Sequence, residues 1–200
     1  YKEVPFGSSL SEIYALVGAP LRYRPLSARV NHRVHELDYR CWNPKDIEFV
    51  DYTNSSGYRT YVRSLCFILV KAVNDLYPGI PFTLEHPVSK GFYCAFEDRR
   101  EISPGEVERI RSKMLQIVAA DVPFVSHNIR TVDAIELFRR CGLKYKALLI
   151  ETVGMAYTAY YEMDGYIDYF YGALVPSSGY IHLFDLIPYE DGVLLQIPKR

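Results

Sequence analysis

Apolar residues recur at helical spacing through residues 61–79, at Val62, Leu65, Cys66, Leu69, Val73 and Leu76, and Tyr77-Pro78-Gly79 closes the run. The same spacing at Val107, Ile110, Met114 and Ile117 predicts a second helix to about Ala120. It opens on Ser103-Pro104-Gly105-Glu106, which combines an N-cap, a proline at the first helical position and a capping-box acid. Asp121-Val122-Pro123-Phe124 breaks it. A shorter helix opens at Thr131, continues through Ile135 and Phe138, and stops at Gly142. Near the start, Ser9 with Glu12 three positions on makes another capping box; Ile13, Leu16 and Val17 follow, and Gly18 ends that helix.

Between these helices the pattern shortens toward strands. Residues 27–39 alternate in part, with Val30-Asn31-His32-Arg33-Val34 reading as a hairpin, and residues 47–52 read as another strand. Asn54-Ser55-Ser56-Gly57 reads as a turn or short linker, and residues 82–84 and 91–96 as strands. Residues 157–189 are unusually aromatic, and Tyr166-Ile167-Asp168-Tyr169-Phe170-Tyr171 alternates like a half-buried strand. Tyr-rich strands pack with their hydroxyls at the rim; a stacking platform for bases is the rival reading. The expected class is α+β.

Composition narrows the functions. Two hundred residues with 49% hydrophobic content suit one large or two modest domains with real cores. A net charge of −1 supplies no overall field that would demand nucleic acid or an anionic membrane. Cys41, Cys66, Cys94 and Cys141 are scattered without a C-x-x-C spacing, which argues for reduced thiols in a cytoplasmic protein and against a zinc ribbon. The longest apolar string, residues 65–70, is far too short to span a membrane, and no signal peptide precedes it. The chain begins at Tyr1 without an initiating Met, so a fragment of a longer protein is expected.

The series YPG, GFYCAF, VAADVPF and AIELF, with EHPVSKGFYC and DYFYGALVPSSGYIHLFDLI, resembles in order and spacing the editing-type second domain of threonyl- and alanyl-tRNA synthetases. GSSLSEI, VNHRVHELDY and DIEFVDY resemble the TGS domain, a ubiquitin-like β-grasp module that precedes it in threonyl-tRNA synthetase. The resemblance implies a β-grasp domain over residues 1–60 and an editing-type α+β domain over 61–200. The aromatic tail, YVRSL in the early helix and the terminal DGVLLQIP further resemble a bacterial uridine kinase-like group, in which these two domains sit in front of a P-loop nucleoside kinase.

That family carries an H-x-x-x-H pair on the helix and a C-x-x-x-H later. Positions i and i+4 share a helix face and present two imidazoles to a metal or a scissile ester. Aligned on residues 76–79, this chain has Arg63 and Phe67 at the two histidines; aligned on Asp168 and Val175-Pro176, it has Phe170 and Leu174 for the cysteine and histidine. Arg63 is permanently charged and cannot ligate; the other three have no donor atom. No metal or catalytic set is expected there. A residual pocket of Arg63, Tyr93, Lys146 and Asp168 is implied, with Arg63 and Asp168 as an ion pair.

No other constellation takes over. His32 and His35 fall on the hairpin, where their spacing sends them to opposite faces; His86 precedes Pro87 in a turn, and His127 and His182 are isolated. Cys66 on an apolar helix face reads as packing. Ser177-Ser178-Gly179 reads as a turn, with no G-x-S-x-G elbow and no phosphate loop anywhere. The expected role is a non-catalytic regulatory region of a uridine kinase-like protein. Its own kinase domain is the expected partner, ATP and Mg belong to that absent domain, and this fragment carries no cofactor. A nucleotide or tRNA is the further partner considered, an oligomer is left open and a membrane is not expected. The alternative is a tRNA-binding or trans-editing domain that deacylates mischarged tRNA.

Overall fold

Ser9 caps the first helix as its spacing to Glu12 predicts, and the reciprocal Glu12-to-Ser9 bond completes the capping box. In the computed structural model, which describes residues 1–89, 91–98 and 100–198, this helix is α1 (Leu10–Val17), ended by left-handed Gly18. It packs on an antiparallel sheet of β1 (Ser27–Val30), β2 (Arg33–His35) and β3 (Ile47–Val50), in the order β2-β1-β3. Leu10, Ile13, Ala28, Val30, Leu37 and Cys41 form the core between them. Asn31 and His32 both take positive φ between paired Val30 and Arg33, the geometry of a tight two-residue hairpin.

The long helix α2 (Ser55–Leu76) begins earlier than its apolar pattern predicts. Asn54 is its N-cap and accepts the Ser56 amide at 2.9 Å, so Asn54-Ser55-Ser56-Gly57 is a helix start and not a linker. Gly57 is required there: a Cβ would sit 1.9 Å from the Asp51 carbonyl oxygen. The helix is buried on most of its circumference, from Thr60 through Val73.

Beside it lies a four-stranded antiparallel sheet of order β4-β5-β10-β9, formed by β4 (Phe82–Val88), β5 (Gly91–Phe96), β9 (Asp185–Tyr189) and β10 (Gly192–Gln196). His86 and Pro87, read from sequence as a turn, continue β4 past a bulge between Leu84 and His86. Pro87 is tolerated because β4 is an edge strand; Pro188 stands on the other edge, β9. The helix α3 (Pro104–Ala119) has the Ser103–Glu106 capping box its sequence promises.

Contacts divide the chain into two compact units, Tyr1–Asp121 with Gly172–Arg200, and Val122–Tyr171. All elements above belong to the first. The second holds β6 (Val125–Arg130), α4 (Thr131–Arg140), α5 (Lys144–Val153), β7 (Tyr157–Met163) and β8 (Tyr166–Asp168). Its sheet is antiparallel, β6-β7-β8, and its core is Ala134, Phe138, Ala147, Ile150 and Tyr160. The alternation expected through Tyr171 stops at Asp168, where β8 ends. The mixed α+β class stands, with five α-helices and three small sheets among the described residues. No helix among them is long and apolar enough to cross a membrane.

Candidate functional site

In the first unit, α2 holds the returning segment 172–183 through polar side chains aimed at its main chain. Arg63 donates to the Ala173 carbonyl at 2.5 Å. The next residue, Ser64, accepts the Val175 amide at 2.9 Å and donates to the Thr60 carbonyl at 2.8 Å. Tyr61 donates from its hydroxyl to the Leu183 carbonyl at 2.9 Å and accepts the amides of His182 and Leu183. Burial pushes the Tyr61 phenol above its ordinary pKa, so it stays a neutral donor. Gly172 has φ +107, and a Cβ on it would lie 2.8 Å from the Arg63 guanidinium carbon. Only glycine combines that backbone angle with so close a neighbour.

Phe67, one turn beyond Arg63, and Leu174 are both fully buried. Their side chains present carbon where a ligand or general base would need nitrogen, sulfur or oxygen. Cys66 is buried beside them in sequence, with its thiol pushed up to about 12 by desolvation, and Cys94 is raised for the same reason. Neither offers a thiolate near neutral pH. The donor set at Arg63, Phe67, Phe170 and Leu174 does not fit a metal ion, and no group of three His, Cys, Asp or Glu able to hold one occurs among the described residues.

The second unit has a different arrangement. Asp168, at the end of β8, is fully buried and accepts three donors: the Lys146 ammonium from α5, the Tyr166 hydroxyl at 3.2 Å and the Tyr169 amide at 2.6 Å. The Lys146 nitrogen also lies 4.9 Å from the centre of the Phe170 ring, within reach of its electron-rich face. Ala147 and Ile150 anchor α5 in the core and set the register that brings Lys146 to Asp168. A buried carboxylate compensated by an ammonium and a phenol can position a polar ligand or pass a proton. It lacks a nucleophile.

Of the four residues expected to share a pocket, Lys146 and Asp168 are in contact. Arg63, the expected ion-pair partner of Asp168, belongs to the other unit and donates to Ala173. Tyr93 is pinned in the four-stranded sheet, its hydroxyl donating to Asp191 and its ring 5.8 Å from that of Tyr189. Four participants escaped the sequence reading: Tyr61, Ser64, Tyr166 and Gly172. Tyr166 was the most accessible of them, since residues two apart on a strand share a face with Asp168. Among the histidines, His127 stacks on Tyr160 at 4.9 Å and meets Glu162 at 3.0 Å, a single pair on the β6–β7 ladder.

Comparison with known proteins gives one consistent result. The chain is 27% identical to the threonine–tRNA ligase of Symbiobacterium thermophilum over 187 residues, 93% of this chain and 29% of that protein. It is 29% identical to the enzyme of the same name from Aromatoleum aromaticum over 180 residues, 89% of this chain and 28% of the relative. For that of Syntrophotalea carbinolica the identity is 29% over 188 residues, with shares of 92% and 29%. No protein-family model matches. These relatives overturn the uridine kinase-like parent: the proteins matched over nine-tenths of the chain are named as threonine–tRNA ligases. The expectation of a kinase partner, and of ATP and Mg, loses the ground it rested on. The chain spans less than a third of the length of the curated relatives it matches, and it is similar to that stretch of them.

Proposed function

We propose that this chain is a tRNA-directed recognition region of the synthetase editing type, which engages the RNA without hydrolysing an ester. The similarity to threonine–tRNA ligases over 187 of 200 residues carries the reading. So long an alignment takes in most of residues 1–60 as well as the remainder. The absence of hydrolysis is argued from chemistry: Arg63, Phe67, Phe170 and Leu174 supply no metal ligand and no general base. The Lys146–Asp168–Tyr166 cluster remains as the polar feature that can orient a ligand's amino or hydroxyl groups.

The test pairs a binding and a turnover measurement on the 200-residue chain. An unmodified threonine tRNA transcript is titrated at several salt concentrations, and mischarged threonine tRNA is assayed for deacylation. Binding whose affinity falls linearly on a log–log plot against salt is expected, as phosphate contacts release counterions. Deacylation is expected at the buffer rate. No binding at low salt removes the proposal. Deacylation above buffer favours a second reading, a trans-editing hydrolase acting through Lys146 and Asp168. In that case Lys146→Met would abolish turnover.

A further inference from the structure

An open groove of about 1370 Å³ runs beside β3 in the first unit, lined among others by Val4, Ile13, Trp42, Ile47, Glu48 and Phe49. Successive side chains of a strand point to opposite faces. That Ile47, Glu48 and Phe49 all line the groove therefore places it along the edge of β3 and not over one face. The opposite edge of β3 is occupied by β1.

Backbone polarity sharpens the placement. The Asn31 amide donates to the Asp46 carbonyl at 2.9 Å, and pairing sets Arg29 opposite Glu48 and Ser27 opposite Val50. Amides and carbonyls alternate sides along an antiparallel strand. Asp46, Glu48 and Val50 therefore face β1, while Ile47 and Phe49 turn theirs toward the groove, where they meet no partner among the described residues. Two free donor–acceptor pairs about 6.8 Å apart, beside an apolar trough, match the repeat of one more strand.

We infer that this groove binds an extended segment of a different polypeptide, with apolar side chains at alternate positions, which adds to β3 as a fourth strand. A second copy fits poorly. Antiparallel self-pairing of Ile47 with Phe49 sets Glu48 against Glu48, and Ile47 on itself sets Asp46 against Glu48. Phe49 on itself runs Ile47 past the end of β3 at Val50. The segment's backbone bonds to Ile47 and Phe49, and its apolar side chains cover Val4, Ile13 and Trp42.

Trp42 is the only tryptophan of the chain and is 58% exposed, so its emission reports this groove alone. The 200-residue chain is titrated with a capped synthetic peptide alternating valine with threonine. A parallel titration uses the same peptide N-methylated at every second amide, in both phases. A saturable blue shift is expected with the first, and about tenfold weaker binding with the phase of methylation that removes the bonding amides. No shift with the unmodified peptide overturns the inference. Equal binding of all three peptides overturns it too, since apolar contact alone would then suffice. A shift produced by protein concentration, with a dimer in sedimentation, assigns the groove to a second copy and also overturns it.

Discussion

Two polar regions of this chain use the same kinds of side chain to opposite ends. Tyr61, Arg63 and Ser64 of α2 all bond to main-chain groups of residues 60 and 173–183. Lys146 and Tyr166 bond instead to one side chain, Asp168. A side chain tied to the backbone fixes the course of a segment and cannot be relieved by changing one partner residue. A cluster of side chains can be dismantled pairwise, and its members can exchange partners with a ligand. The first region is scaffold; the second keeps the means for recognition.

Substitutions can break that contrast. The largest effect is expected at Phe67, fully buried one turn from Arg63: Phe67→Ala should cost about 4 kcal/mol, read from the urea midpoint. A loss below about 1 kcal/mol would mean this face of α2 is not core. Lys146→Met should cost about 3 kcal/mol, because it leaves the buried Asp168 carboxylate without its ammonium. The double variant Lys146→Met/Asp168→Leu should recover most of this, and a double-mutant cycle measures the coupling. Failure to recover would place Lys146 with the scaffold residues.

Gly172→Ala comes next, at about 2 kcal/mol, from a φ of +107 and a Cβ 2.8 Å from the Arg63 guanidinium. Adding Arg63→Ala removes the collision and leaves the backbone strain, so a thermal melt should regain only part of the loss. The smallest effect is an acid-limb control. The Ser103 amide, with its hydroxyl and Arg100, holds Glu106 at about 2 against an ordinary 4.5. Since the folded value is depressed, its contribution is present above pH 4.5 and is lost as pH falls toward 2. Glu106→Gln should flatten the urea midpoint over that window. Acid sensitivity left in that variant, and removed by adding Asp168→Asn, would belong to the second region.

Much of the fold was legible because its signals are local. Ser9 with Glu12 and Ser103 with Glu106 cap the helices they predict. Asn31 and His32 turn the hairpin. The start of α2 was hidden because Asn54-Ser55-Ser56-Gly57 has loop composition, and its glycine answers to a tertiary neighbour, the Asp51 carbonyl. The helix α5 was missed for another reason: Ala147 and Ile150 are buried while Tyr145, Leu148, Leu149 and Val153 are exposed, so apolar residues surround it and blur its period. At the site, the loss of ligands was readable from residue type. The pairing of Lys146 with Asp168 spans 22 residues and was not. Tyr93 was misplaced for the same reason, its partner Asp191 lying 98 residues away.

The prolines at the two margins of the four-stranded sheet have a consequence for the protein in concentrated solution. Pro87 on β4 and Pro188 on β9 each delete a donor from an outer strand. A strand from a neighbouring molecule would find an interrupted template on both sides, so stacking into fibrils is discouraged from this sheet in either direction. Its width is capped at four by covalent structure, independent of salt, pH or crowding.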